Sequence, residues 1–182
     1  MTSSAVLLMD LQVDFLDAGK GRMPVSAEGA ARVIAAANAV LSANVLPGAL
    51  AVAVVNRFPR SQVIANFFRK GAAVEGSDGA RLDSRVRLPP AVAVFAKSRA
   101  SAFSNPDLHP WLQGRSVSRL CVMGVMAEGC VRATAIAARA LGYEVVAPLD
   151  AIATNATWKL RFAVWSMRRH GVGIGHTLAA LS

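Results

Sequence analysis

The chain has 182 residues, of which 54% are hydrophobic and 17% charged, enough apolar material for one core and too much for a disordered chain. The formal net charge of +9 raises nucleic acid as a partner, but the arginines are dispersed, "MRRH" at 167–170 is their one tight group, and no aromatic RNA-binding motif, zinc-finger spacing or basic heptad accompanies them, so a solvated basic surface is expected. No apolar run approaches the roughly 20 residues that span a bilayer, and the opening "MTSSAVLLMDLQVDF" has neither a basic n-region nor a small-residue cleavage site, so a cytoplasmic protein without membrane contact is expected.

"AVLLMD" (5–10) reads as a short buried strand that ends on a carboxylate. A helix is expected over 26–44, where alanines and aliphatics recur at helical spacing behind Ser26 as its cap. Further strands are expected at 49–56, 91–97 and 119–124. A helix opening at Cys130 follows, then a fifth strand at 144–150, a helix over 155–170 and a last strand at 171–175. Short continuous apolar strands alternating with helices imply parallel crossovers and a sheet covered on both faces. The expected fold is a single three-layer α/β/α, Rossmann-like domain over residues 1–182. The connection from 57 to 90 is longer than a typical loop, and such connections are often functional. Cys121 and Cys130 are expected to be free thiols, since two cysteines make no disulfide framework.

Ligands of such sheets bind outside the carboxyl ends of the strands. At those ends stand Asp10, Asn56, Lys97 and the turn "GVMAEGC" leading into Cys130. Taken singly, these residues have ordinary explanations: a small buried cysteine, a capping carboxylate, a solvated strand end. Their coincidence at one rim points to chemistry. A thiol attacks as its thiolate, which a nearby ammonium and a helix start both favour. A carboxylate takes and returns the proton, and backbone N–H groups of a turn entering a helix stabilise an oxyanion, for which the small residues Gly124, Ala127 and Gly129 leave room.

Three stretches, "LLMDLQVDF" around Asp10, "FAKSRASAF" around Lys97 and "VMGVMAEGCVRATAIAARALGYEV" around Cys130, followed by "PLDA" at 148–151, resemble the isochorismatase-like cysteine hydrolases. That family includes nicotinamidases, N-carbamoylsarcosine amidase, and ureidoacrylate and biuret hydrolases. The resemblance runs in order along nearly the whole chain. It implies a six-stranded parallel sheet flanked by helices and a catalytic triad of Asp10, Lys97 and Cys130. It also implies a cis peptide between Val125 and Met126, an oxyanion hole made by the N–H groups of Met126 and Cys130, and a homodimer or homotetramer.

The chain departs from the nicotinamidases, which carry an aspartate and histidines after strand two as metal ligands. Here that segment reads "VVNRFPRSQVIANFF", and His109, His170 and His176 lie elsewhere without ligand spacing. No metal and no cofactor are expected. Where many relatives have threonine in the turn, this chain has Ala127. Gln12, Phe15, Asn56, Phe58 and Phe103 are expected around the substrate, an apolar pocket with a few amide groups. The expected activity is hydrolysis of a C–N bond in a small amide, carbamoyl or ureido compound through a thioacyl-enzyme. The alternatives are an isochorismatase-type vinyl-ether hydrolase and a catalytically idle binding or scaffold domain.

Overall fold

The computed structural model describes residues 3–42 and 49–175. Five strands form the main run of a parallel sheet: β1 (Ser3–Met9), β2 (Leu50–Asn56), β3 (Ala93–Lys97), β4 (Val117–Val125) and β5 (Glu144–Pro148). A two-residue strand, β6 (Ile152–Ala153), pairs with the end of β4, and β7 (Gly173–Gly175) closes the far edge on β5. The spatial order is β3-β2-β1-β4-β5-β7, with β6 beside β4.

The helices are α1 (Val13–Leu16), α2 (Ala27–Leu41), α3 (Val63–Phe68), α4 (Leu108–Gln113), α5 (Arg132–Ala140) and α6 (Thr157–Arg169). Because strand side chains alternate between faces, β1 feeds two cores. Ala5, Leu7 and Met9 join Leu108 and Leu112 of α4, Ala135 and Ala138 of α5, and Ala163 and Met167 of α6. Val6 and Leu8 face the other way, against Ala30, Val33, Ile34 and Ala37 of α2. The result is the three-layer α/β/α arrangement. Leu7 and Leu8 are fully buried, and truncating either to alanine is expected to cost about 2–5 kcal/mol.

The Ser26 cap is present: its hydroxyl accepts from the Gly29 N–H at 3.1 Å. Positions 43 and 44 of the expected helix, like His176, lie outside the described residues. The structure adds a seventh strand to the six expected, because the chain turns in a 3-10 step at Leu149–Ala151 and rejoins the sheet at β6. The 57–90 connection contains α3 and then folds back to the strand ends through a Phe58–Val74 bridge and a Gln12–Leu82 bridge. Among the described residues, no helix is long and apolar enough to cross a membrane.

Between β1 and β4 the strand order reverses, since β2 and β3 lie to one side and β5 and β7 to the other. Crevices form at such a switch point. Gly124 permits the close strand approach there: it has φ +120°, and a Cβ on it would run into the Met9 carbonyl oxygen.

Candidate active site

Asp10 follows β1 directly, with φ +54°, a left-handed conformation that aspartate tolerates better than most residues. Its N–H is held by the Val54 carbonyl at 2.8 Å. Asn56 and Lys97 end β2 and β3 and are register partners across that pair. Cys130 stands in a single π-helical turn, Ala127–Val131, between β4 and α5, an irregularity frequent at functional sites. The expected helix start at Cys130 is thus displaced: the regular helix begins at Arg132. The Val125–Met126 peptide is cis.

Lys97 is 3% exposed and spends its three ammonium hydrogens on three partners. Its Nζ lies 2.6 Å from Asn56 Oδ1, 3.0 Å from Asp10 Oδ2 and 3.2 Å from Cys130 Sγ. The Asn56 amide also approaches the sulfur, at 3.8 Å. The second carboxylate oxygen of Asp10 is buried without a partner. So one cation ties a carboxylate, an amide and a thiol together at the ends of four adjacent strands.

Burial raises the pKa of the Asp10 carboxyl above its ordinary 3.8, against the opposing pull of Lys97 and the hydrogen bonds it accepts. For Lys97, burial pushes down, but the charges of Asp10 and Cys130 together with its hydrogen bonds carry it above the ordinary 10.5. Cys130 is pushed up from 9.0 to about 12, first by burial and then by Asp10, with Lys97 only partly offsetting them. Lys97 thus favours the thiolate as expected, but burial and the Asp10 charge outweigh it, and the net shift is upward. The resting site is an Asp10–Lys97 ion pair beside a neutral thiol. Cys121 is also pushed to about 12, by burial and then Asp150, and both cysteines are free.

A cavity of about 130 Å³ opens over this group. Asp10, Asn56 and Cys130 supply its reactive part; Phe15, Met23, Phe58, Met126 and Arg69 supply the rest. Two residues expected in the pocket are elsewhere. Gln12 is fully buried beneath the rim, where its side-chain oxygen accepts from the Asn56 N–H at 2.8 Å and its amide donates to the Asn56 and Ala80 carbonyls at 2.9 and 2.6 Å. It clamps the backbone of Asn56. Phe103 packs on the opposite side of the sheet, stacked on Tyr143 and edge-on to His109. The Ala102 N–H bond to Thr134 of α5, 2.9 Å long, draws that loop down. Met23 and Arg69 escape the sequence reading; the "FFRK" run around Arg69 sits in the long connection, without a periodic pattern to orient it.

Among the described residues, no three histidine, cysteine, aspartate or glutamate side chains come together as metal ligands. After β2 the chain offers Arg57, Phe58 and Arg60, and a guanidinium has no lone pair to give. These residues do not fit a metal.

An isochorismatase domain model matches residues 4–177, and the chain belongs to the isochorismatase family. Its relatives are named as hydrolases and amidases. It is 27% identical to a protein of Arabidopsis thaliana named "Probable inactive nicotinamidase", over 93% of this chain and 90% of that one. It is 33% identical to the streptothricin hydrolase of Streptomyces noursei, over 82% of this chain and 49% of that one. The pyrazinamidase of Pyrococcus horikoshii, solved in complex with zinc, superposes with a TM-score of 0.83 at 28% identity, covering 96% of this chain and 99% of that one.

Proposed function

We propose that this chain is a cysteine hydrolase that cleaves the C–N bond of a small amide, carbamoyl or ureido compound. The observation that carries the reading is the Lys97 ammonium bonded at once to Asp10, Asn56 and Cys130 at the base of a largely apolar cavity. Asp10, made more basic by burial, takes the thiol proton as sulfur attacks the carbonyl carbon. Lys97 holds the carboxylate and sulfur in place and stabilises the thiolate as it forms. The N–H of Met126, which belongs to the cis peptide itself, and the N–H of Cys130, in the turn that follows, are assigned to the oxyanion. As the tetrahedral intermediate collapses, the C–N bond breaks and Asp10 returns the proton to the leaving nitrogen. Water then attacks the thioester, with Asp10 taking its proton, and the acid leaves as the thiol re-forms.

A thiol at about 12 in the resting state suits this order of events, because proton removal and attack are coupled and no free thiolate need accumulate. The proposal includes a cytoplasmic setting, and self-association of the kind the family resemblance implies. The rival reading, an idle domain, draws on the same neutral thiol and on the name of the Arabidopsis relative. Assaying ammonia or amine release from primary amides, N-carbamoyl amino acids, ureidoacrylate-like acids and biuret separates the two: hydrolysis by the native chain that disappears in Cys130→Ala supports the proposal, and no turnover of any of them supports the rival.

A further inference from the structure

The one tight basic group of the chain, at 167–170, falls at the end of α6. The inner side of this helix is buried at Ala163, Ser166 and Met167. Its outer side carries Trp158, Phe162 and Trp165, which are 68%, 44% and 56% exposed. Spacings of one helical turn set the three rings in a row along the helix. Arg169, a further turn on, continues the row, and its guanidinium lies 5.4 Å over the Trp165 ring. Lys159 stands over Trp158 at 5.8 Å, and Arg132 of α5 over Phe162 at 5.3 Å.

The charge on this face has one sign. The segment Thr157–Arg169 contains Lys159, Arg161, Arg168 and Arg169 and no aspartate or glutamate. Lys159 pairs with Glu128 at 3.4 Å; among the described residues, none of Arg132, Arg161, Arg168 and Arg169 is in an ion pair. A contiguous exposed apolar surface rimmed by polar groups marks an interaction site, and these cations select an anionic partner. A two-fold contact of the face with a second copy would set arginine against arginine. Single-stranded nucleic acid is held in a basic groove that tracks its backbone, whereas the outer side of one helix is convex. A lipid surface with negative headgroups suits both features. The rings sink to the boundary between headgroups and acyl chains, and the long lysine and arginine stems let the charges reach the phosphates.

We propose that the outer face of α6 docks the protein reversibly on an anionic phospholipid surface, with Trp158, Phe162 and Trp165 inserted and Arg161, Arg168 and Arg169 on headgroup phosphates. Spanning a bilayer takes about 20 apolar residues, but a helix lying in the interface needs no such run. The expectation of no membrane contact, drawn from the lack of a spanning run, therefore gives way on this face. A modest apolar anchor attaches only marginally by itself, and a basic patch is the second signal that holds it. Binding thus requires anionic lipid and weakens with salt. Other residues line the Cys130 cavity, so the docking does not depend on the reaction proposed there.

The test is sedimentation of the full chain with vesicles of phosphatidylcholine alone and of phosphatidylcholine mixed with phosphatidylglycerol, at low and high salt, with tryptophan emission recorded on the bound protein. Affinity for the mixed vesicles at low salt is expected to exceed that for phosphatidylcholine at least about tenfold, with a blue-shifted emission that brominated lipid quenches. Trp158→Ser/Trp165→Ser should weaken binding at least about tenfold and remove the blue shift. Arg161→Gln/Arg168→Gln/Arg169→Gln should weaken it about a hundredfold, at roughly fivefold per charge. Circular dichroism checks that each variant is folded; if the tryptophan variant is not, quenching in the native chain and the arginine variant decide. No binding to the mixed vesicles, equal binding to both kinds, or binding that survives either set of substitutions overturns the proposal. So does tighter binding of a single-stranded oligonucleotide than of the mixed vesicles, or a dimer that Trp158→Ser/Trp165→Ser dissociates in sedimentation velocity, since either gives the face to another occupant.

Discussion

Lys97 gives its shortest hydrogen bond, 2.6 Å, to the side-chain oxygen of Asn56, its register partner on the neighbouring strand, and a longer one, 3.0 Å, to the Asp10 carboxylate. The amide therefore shares with the carboxylate the task of holding the ammonium beside the sulfur. Asn56→Ala leaves one ammonium hydrogen unpaired in a buried site, a cost of about 1–3 kcal/mol in unfolding free energy. Turnover should fall at least about tenfold, in line with removal of a group that positions a catalytic cation. Denaturant unfolding and steady-state kinetics on the same variant measure both.

Gln12 acts one step further back, since it touches Asn56 through the backbone and does not reach the cavity. Gln12→Ala should cost about 1–3 kcal/mol of stability by orphaning the Asn56 N–H and carbonyl. It should lower kcat while leaving KM nearly unchanged, because the reacting groups shift and the pocket walls do not. A rise in KM at constant kcat would place Gln12 at the substrate instead.

The pH dependence follows from the direction of each shift. The mechanism needs Asp10 ionised, and burial raises its pKa, so the acid limb of kcat/KM should lie above the ordinary 3.8. It also needs Lys97 charged, and its pKa is raised above 10.5, so the plateau should extend through neutrality to at least that pH. For stability, a group whose folded pKa is raised contributes fully below its unfolded value and loses that contribution as pH climbs through the folded one. The native chain should thus lose stability above pH 10.5 through Lys97, a loss that Lys97→Met removes. Removing Lys97 from the buried pair should itself cost about 3–5 kcal/mol near neutrality. Urea unfolding across the alkaline range checks both statements.

The two thiols make a contrast. Both sit at about 12, and a rise from 9.0 to about 12 cuts the thiolate fraction at neutral pH about a thousandfold. Iodoacetamide should therefore modify both slowly compared with a free thiol. Cys130 should still react first, because it lines the cavity beside Asp10, whereas Cys121 is 5% exposed within β4. Peptide mapping that finds Cys121 modified first, or both at one rate, contradicts this order.

Since the residues after β2 do not fit a metal, prolonged treatment with a chelator should leave turnover and melting temperature unchanged. Metal found in stoichiometric amount, with activity lost on its removal, contradicts the mechanism.

Much of this was legible in the sequence because of one topological rule. In a parallel sheet every carboxyl end lies on the same rim, so residues as far apart as Asp10, Asn56, Lys97 and Cys130 could be brought to one edge before any distance was known. Orientation was not legible. Gln12 and Phe103 carry the right chemistry at the right edge, yet one is turned under Asn56 and the other across the sheet by its bond network with α5. Arg69 was missed because α3 buries none of its residues and leaves Phe67 and Phe68 about four-fifths exposed, so hydrophobicity there gives no sign of which way the chain faces. The short β6 and the proline-containing α4 are fixed by contacts with β4 and the core, and local pattern does not announce them. The thiol pKa depends on the balance of burial against two opposite charges, which no spacing encodes.

The central claim is that Cys130 forms the covalent bond to the acyl group. The most direct measurement is intact-protein and peptide mass spectrometry after rapid acid quench of the chain with a hydrolysed substrate, alongside Asp10→Asn, Lys97→Ala and Cys130→Ala. An acyl mass increment confined to the Cys130 peptide is predicted in the native chain, lost in Cys130→Ala. Turnover should drop by a similar large factor in all three single variants, with double variants scarcely worse, as for groups acting in one step. Hydrolysis that persists in Cys130→Ala, or an adduct on any other residue, contradicts the account.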